Sequence, residues 1–111
     1  MKRVDPYYKD KRWEHLRQQA LRRDGYVCQQ SKRYGRLLSA EMVHHILPRE
    51  IFPEYQWSLW NLISLTNTEH DRLHDRVTDQ LTDEGMRIVR RLALERGLDL
   101  KEIERRLSLR E

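Results

Sequence analysis

The sequence predicts a small α+β fold, with an N-terminal helix, a short hairpin, a long loop, a further strand and then three helices. Three observations lead to this prediction. Apolar residues recur at helical spacing near both ends of the chain, short apolar runs typical of strands lie in the middle, and glycine, proline and capping residues separate these segments. A chain of 111 residues forms one domain around one modest core.

The N-terminal part is predicted to be a loose basic arm over residues 1–9, followed by a helix over residues 10–23. The apolar residues of this helix form one stripe: Trp13, Leu16, Ala20 and Leu21. Gly25 suits the end of the helix, because glycine adopts the left-handed backbone at little cost. Residues 26–36 are predicted to be irregular.

The middle of the chain is predicted to hold strands on either side of a long loop. Residues 37–38 and 42–43 indicate a short hairpin that ends at residues 44–46. The loop covers residues 47–60, and loops of this length are usually functional. Residues 61–65, NLISL, form the next predicted strand.

The remaining helices are predicted from residues that suit the ends of a helix. Thr66 and Glu69 match a capping box, which predicts a helix from Thr66 to about residue 78. A further helix is predicted over residues 83–96, and Asp99 begins the last one.

Composition narrows the classes of function. Residues 1–40 hold eleven Lys/Arg and four Asp/Glu, whereas residues 41–111 hold eleven and fourteen, so the first part is basic and the second acidic. A basic face of this kind favours a polyanionic partner, most often nucleic acid. The single cysteine excludes an intramolecular disulfide. Without a long apolar run or a signal segment, the chain is expected to be soluble and cytoplasmic.

Four of the five histidines fall into two groups, the adjacent pair His44-His45 and the spaced pair His70 and His74. Residues four apart on a helix share a face, so the spaced pair would supply half of a tetrahedral metal site. Neighbouring strand residues point to opposite faces, so only one of the adjacent pair would join them. The other would stay free as a general base. The alternative is that these are surface or core histidines without a chemical role.

These residues resemble the HNH endonuclease family, with its ββα-metal core, across residues 10–78. The matching stretches are WEHLRQQALRRDGY (13–26), VHHILP (43–48), NLISL (61–65) and EHDRLH (69–74). The resemblance implies a DNA endonuclease with a one-metal mechanism, in bacteria or bacteriophages.

Carried over residue by residue, the resemblance implies that His44, His70 and His74 bind the metal. It makes His45 the general base and Asn61 the residue that holds this base. Three neutral imidazoles suit Zn²⁺, Ni²⁺ or Mn²⁺ as the bound ion, and Mg²⁺ is a further candidate.

One feature of many family members is missing. Their two C-x-x-C pairs bind a structural zinc, but here the pairs read Cys28-x-x-Ser31 and Thr66-x-x-Glu69. Because hydroxyl groups are poor zinc ligands, no structural zinc is expected.

The basic residues around the site are candidate DNA contacts: Lys11, Arg12, Arg22, Arg23, Lys32, Arg33, Arg36 and Arg49. Residues 1–9 would be a basic arm, residues 10–78 the nuclease domain and residues 79–111 a C-terminal helical extension. The resemblance also implies a possible partner among phage DNA-packaging (terminase) proteins.

Two other functions compete with the nuclease. His70-Asp71-x-x-His74 is close to the H-E-x-x-H motif of metalloproteases, but aspartate would hold the base too far from the metal water. The second is a nucleic-acid-binding module of the same fold without catalytic activity.

Overall fold

The structure, a computed structural model, describes residues 5–109. In chain order its elements are helices α1 (Lys11–Arg23) and α2 (Gln29–Arg33), strands β1 (Met42–His45) and β2 (Leu62–Leu65), and helices α3 (Asn67–Asp71), α4 (Asp83–Arg96) and α5 (Leu100–Ser108). Short 3-10 turns occupy Pro6–Lys9, Pro53–Tyr55 and Leu59–Asn61. The predicted α+β class with a ββα unit is confirmed. Within the described part of the chain, no helix is both long enough and apolar enough to cross a bilayer.

The two strands pair with each other across the long loop. β1 and β2 are antiparallel, with Met42 opposite Leu65 and His45 opposite Leu62. The predicted hairpin between residues 37–38 and 42–43 is wrong. The segment before β1 pairs instead with the residues between α1 and α2, where the Leu38 carbonyl accepts a hydrogen bond of 2.8 Å from the amide of Cys28.

The main core lies between the long loop, β2 and the two C-terminal helices. Its most buried members include Leu47 and Phe52 from the loop, Leu65 from β2 and Leu73 from the segment after α3. Helix α4 contributes an apolar face, and α5 adds Ile103. The C-terminal helices therefore pack directly on the ββα unit.

A second, smaller core joins α1 to the strands. The stripe predicted for α1 is buried here together with Tyr7, Val43 and Leu62. The predicted helix boundaries hold for α1, which begins after its capping residue Asp10. Tyr7 fixes part of the predicted arm against α1, whereas residues 1–4 of that arm lie outside the described residues.

Helix α3 is much shorter than predicted. It ends at Asp71 because later residues take the carbonyl groups that a longer helix would use. The Thr82 hydroxyl donates to the Arg72 carbonyl at 2.6 Å, and the Thr82 amide donates to the Leu73 carbonyl at 2.9 Å. The prediction of a helix that extends to about residue 78 is therefore wrong.

The capping box at the start of α3 is half formed. The Thr66 hydroxyl accepts a hydrogen bond of 3.1 Å from the amide of Glu69, as predicted. The Glu69 carboxylate pairs with Arg72 instead of returning to the Thr66 amide. One of the two capping hydrogen bonds thus starts the helix.

Candidate active site

Three histidine side chains from the ββα unit meet in one place. His44 lies on β1, His70 lies on α3, and His74 follows α3. Their potential ligand atoms all lie within 4.8 Å of one another. The ring centroids are 4.9 Å apart for His44 and His70, and 5.4 Å apart for His44 and His74. Among residues 5–109, this trio is the group of potential ligands found with the spacing of a metal site.

His70 and His74 lie close together, but they do not share one face of a helix as predicted. His74 lies beyond the end of α3 and forms an isolated antiparallel bridge with Leu81. The neighbouring Leu73 is buried in the main core and anchors the segment. The pairing of two backbone segments, rather than one helical face, therefore sets the position of His74.

The environment of His44 suits a metal ligand. Burial lowers the pKa of His44 well below its ordinary value, and the neighbouring His70 and His74 rings lower that pKa further. A neutral imidazole keeps a lone pair available for a metal ion, whereas a protonated one does not. The donor set of three imidazoles therefore fits one divalent cation.

His45 points to the opposite face of β1, as the strand period predicts. Its ring stacks on Trp13 with centroids 5.2 Å apart and planes 22° apart, and only 5% of the residue is exposed. Burial is the main cause that lowers the pKa of His45, although the hydrogen bond to Gln56 opposes the shift. The His45 ring is thus neutral near pH 7, where a general base must be able to accept a proton.

The hydrogen bonds of His45 select its tautomer. Nε2 lies 3.1 Å from the Tyr7 hydroxyl and 3.1 Å from the Gln56 carbonyl oxygen. The Tyr7 hydroxyl also donates to the Gln56 carbonyl, and burial raises the pKa of Tyr7 to about 12, so the phenol stays protonated. Nε2 therefore faces two acceptors and carries the proton. The lone pair is left on Nδ1, which has no hydrogen bond to any residue that the structure describes.

Asn61 holds the loop that supplies the Gln56 carbonyl. Its side-chain oxygen accepts from the Leu47 amide at 2.8 Å, and its side-chain nitrogen donates to the carbonyls of Leu47 at 3.1 Å and Tyr55 at 3.3 Å. In the described part of the chain, this amide does not bond to His45 directly. Asn61 therefore acts on the His45 ring through the loop backbone.

A cavity of about 360 Å³ opens over the histidines, and both His44 and His45 line it. Asp5, Tyr8 and Arg49 form part of its wall. Arg49 pairs with the Asp5 carboxylate, and its guanidinium lies 5.4 Å from the Tyr8 ring centroid. Arg49 thus places a positive charge beside the candidate metal trio.

The other predicted DNA contacts all lie on the surface. They are Lys11, Arg12, Arg22, Arg23, Lys32, Arg33 and Arg36. Arg12 pairs with Asp10 and stacks on Trp57, with 4.3 Å to the ring centroid. Arg23 has a structural role, because its guanidinium donates to the carbonyls of Leu59 at 2.9 Å and Leu62 at 2.6 Å. These bonds join the end of α1 to the beginning of β2.

The positions that replace the family's cysteine pairs form a buried hydrogen-bonded cluster. The Ser31 hydroxyl lies 3.2 Å from the Cys28 sulfur, and the same sulfur lies 3.9 Å from the Thr66 hydroxyl. Both Cys28 and Glu69 are almost completely buried. These contacts link α2 to the start of α3.

Two parts of the site were not predicted from the sequence. The Gln56 carbonyl belongs to the backbone, so no residue type marks it. Tyr7 was predicted only as part of the loose basic arm, although the hydroxyl of a buried tyrosine usually finds a hydrogen-bond partner.

Comparisons with known proteins agree with this geometry. No protein-family model and no curated protein matches the sequence. The structure is similar to the crystal structure of the HNH endonuclease of the deep-sea thermophilic bacteriophage GVE2 with a manganese ion. The two chains are 30% identical with a TM-score of 0.59, and the similarity covers 60% of this chain and 73% of the other. This chain therefore belongs to the HNH endonuclease family.

Proposed function

We propose that this protein is a metal-dependent endonuclease that hydrolyses phosphodiester bonds in DNA. The observation that carries the proposal is the arrangement on β1. His44 joins two other histidines on one face, His45 is held through Nε2 on the opposite face, and both residues line the same cavity. A metal site beside a positioned base is what hydrolysis of a resistant, negatively charged ester needs.

His44, His70 and His74 would hold one divalent ion, and the neutral state of His44 supports this assignment. When bound, such an ion supplies Lewis-acid stabilisation of the charge that develops on the phosphate. The similar phage enzyme was crystallised with manganese. Zn²⁺, Ni²⁺ and Mg²⁺ are the other candidates, and we propose no structural zinc at Cys28.

His45 would act as the general base. Its Nδ1 lone pair takes a proton from the attacking water, while the proton on Nε2 stays in the hydrogen bond to Gln56. Asn61 fixes the loop that carries this carbonyl. A ring held at Nε2 and stacked on Trp13 keeps one orientation, so little reorganisation is needed when the proton moves.

The basic surface would bind DNA through backbone phosphates. Arg49 lines the cavity beside the histidines, and an incoming phosphate would replace Asp5 as its partner. We assign residues 1–9 as a basic arm, residues 10–78 as the nuclease domain and residues 79–111 as a helical extension. A DNA-packaging partner stays a prediction from resemblance alone.

The experiment is plasmid cleavage by the purified protein with Mn²⁺ and with EDTA. Cleavage should require the metal and disappear in His74→Ala. His15→Ala is the matched control, because His15 is exposed on α1 and belongs to neither histidine group. Binding of DNA without cleavage under any divalent metal would favour the inactive binding module instead.

A further inference from the structure

The segment after α3 contains a carboxylate that faces one of the candidate metal ligands. Asp79 Oδ1 lies 4.0 Å from Nδ1 of His74. This nitrogen is buried, although 18% of the His74 side chain is exposed. The relationship was not visible in the sequence, because the predicted helix to about residue 78 placed His74 within the helix and Asp79 just beyond its end.

The chain between these two residues is a closed loop with a fixed shape. The Asp75 amide donates to the Gln80 carbonyl at 2.7 Å, and the Asp79 amide donates to the Asp75 carbonyl at 2.8 Å. The Asp75 carboxylate also accepts hydrogen bonds from the amides of Val77 and Thr78. Asp79 is therefore held in place by backbone hydrogen bonds.

Asp79 has a φ of +60°, in the left-handed region. Among residues other than glycine, aspartate and asparagine adopt this region most readily, so the residue type fits the turn. The backbone of the loop therefore sets where the Asp79 side chain begins.

From this geometry we propose that Asp79 is a positioning residue for the metal site, and this rests on the function proposed above. A carboxylate beside Nδ1 favours the tautomer with a proton on that nitrogen, which leaves the Nε2 lone pair for the ion. It also fixes the ring orientation and raises the basicity of the ligand. Asp79 would thus strengthen metal binding without contacting the metal or the substrate.

His70 has a comparable but weaker arrangement. Asp71 Oδ1 lies 3.7 Å from Nδ1 of His70, but His70 is more exposed than His74, with 33% of its side chain accessible. Asp71 is the last residue of α3 and directly follows His70, so no closed loop fixes its carboxylate. Both carboxylates are exposed, 70% for Asp79 and 72% for Asp71, so the difference lies in the more buried His74 ring and in the closed loop that carries Asp79, and we assign the larger effect to Asp79.

The test is calorimetric titration of metal-free protein with Mn²⁺. Asp79→Asn keeps a side chain that tolerates positive φ and removes the charge, so we expect affinity to fall by about 10-fold. Asp79→Gly removes the carboxylate and relieves the backbone, so its affinity should fall equally while the melting temperature of the metal-free protein stays within a few degrees. Asp83→Asn, an exposed acid in the first turn of α4, is the control for general loss of negative charge. At saturating Mn²⁺, kcat for plasmid cleavage by Asp79→Asn should return to the wild-type value.

Wild-type affinity in Asp79→Asn would overturn the proposal, and so would an equal loss in Asp83→Asn. Wild-type affinity in Asp79→Gly would show that the backbone, rather than the carboxylate, matters, and would also overturn it. If the wild-type protein bound no Mn²⁺ at all, the metal site of the proposed function would fall together with this inference. Tight binding that is indifferent to Asp79 would remove this inference alone.

Discussion

The Gln56 carbonyl oxygen lies 3.1 Å from Nε2 of His45, and the loop that presents this carbonyl is tied down by one buried side chain, Asn61. Asn61 is fully buried and makes three hydrogen bonds to backbone groups of the loop. The position of the candidate base thus depends on an amide that does not contact it.

Asn61→Ala should therefore affect both stability and activity. It leaves buried backbone groups of Leu47 without partners, which costs about 3 kcal/mol of unfolding free energy. Urea unfolding measures this loss, and plasmid cleavage by the remaining folded protein should also fall. Asn67→Ala, at the exposed start of α3, is the control. A loss below about 0.5 kcal/mol would show that the loop does not depend on this side chain.

The stability of the metal-free protein should fall as the pH is lowered from 7 to 5. The pKa values of His44 and His45 are lowered in the folded state, so the unfolded chain takes up their protons first. A state that binds more protons gains as pH falls, so the folded state loses on the order of 1 kcal/mol over this range. Urea unfolding in EDTA at both pH values measures the change, and His44→Gln should show a smaller one. If the unfolding free energy did not change with pH, folding would not lower the pKa of either ring.

Gly85→Ala should destabilise the protein although alanine is the better helix former. A Cβ at position 85 would lie 2.5 Å from the Leu73 carbonyl oxygen, so α4 would have to move away from the segment that carries His74. Overpacking of this kind costs about 1–3 kcal/mol, more than the roughly 1 kcal/mol that helix propensity returns. Thermal unfolding measures the loss, with the exposed Glu95→Ala in the same helix as control. An increased melting temperature would contradict the close approach.

DNA binding should be dominated by phosphate contacts from the N-terminal half. With an inactive His45 variant, affinity should fall steeply with salt, since each neutralised phosphate adds about −0.9 to the log–log slope. Arg22→Glu should weaken binding to unrelated duplexes alike, whereas Arg87→Glu, exposed on α4, should have less effect. Arg23 is unsuitable for this test because it holds backbone carbonyls of the β2 region. A flat salt response would contradict phosphate-driven binding.

The sequence was sufficient to predict the elements whose signals are local. The α1 stripe, the bounds of α4, the start of α5, and the separation of His44 from His45 by the strand period all follow from neighbouring residues. The prediction failed where residues distant in the sequence form hydrogen bonds with the backbone groups of an expected strand or helix. Leu38 bonds to Cys28 rather than to a strand, and Thr82 takes the carbonyls that would have extended α3.

The histidine trio shows the same limit in the candidate site. His70 and His74 do lie close together, but not through the predicted helical spacing, because His74 reaches the trio through its bridge to Leu81. Contacts that involve backbone atoms or the folded loop, such as those of Gln56 and Asp79, have no residue pattern that marks them in advance.

The most direct test compares metal binding and cleavage in His45→Ala. If His45 is the base and His44 a ligand, the variant keeps about one Mn²⁺ per chain and loses roughly 10²–10⁴-fold in single-turnover cleavage. Calorimetry and a plasmid assay on the same preparation give both values. Loss of the metal, or cleavage at the wild-type rate, would contradict the assignment of His45 as the base.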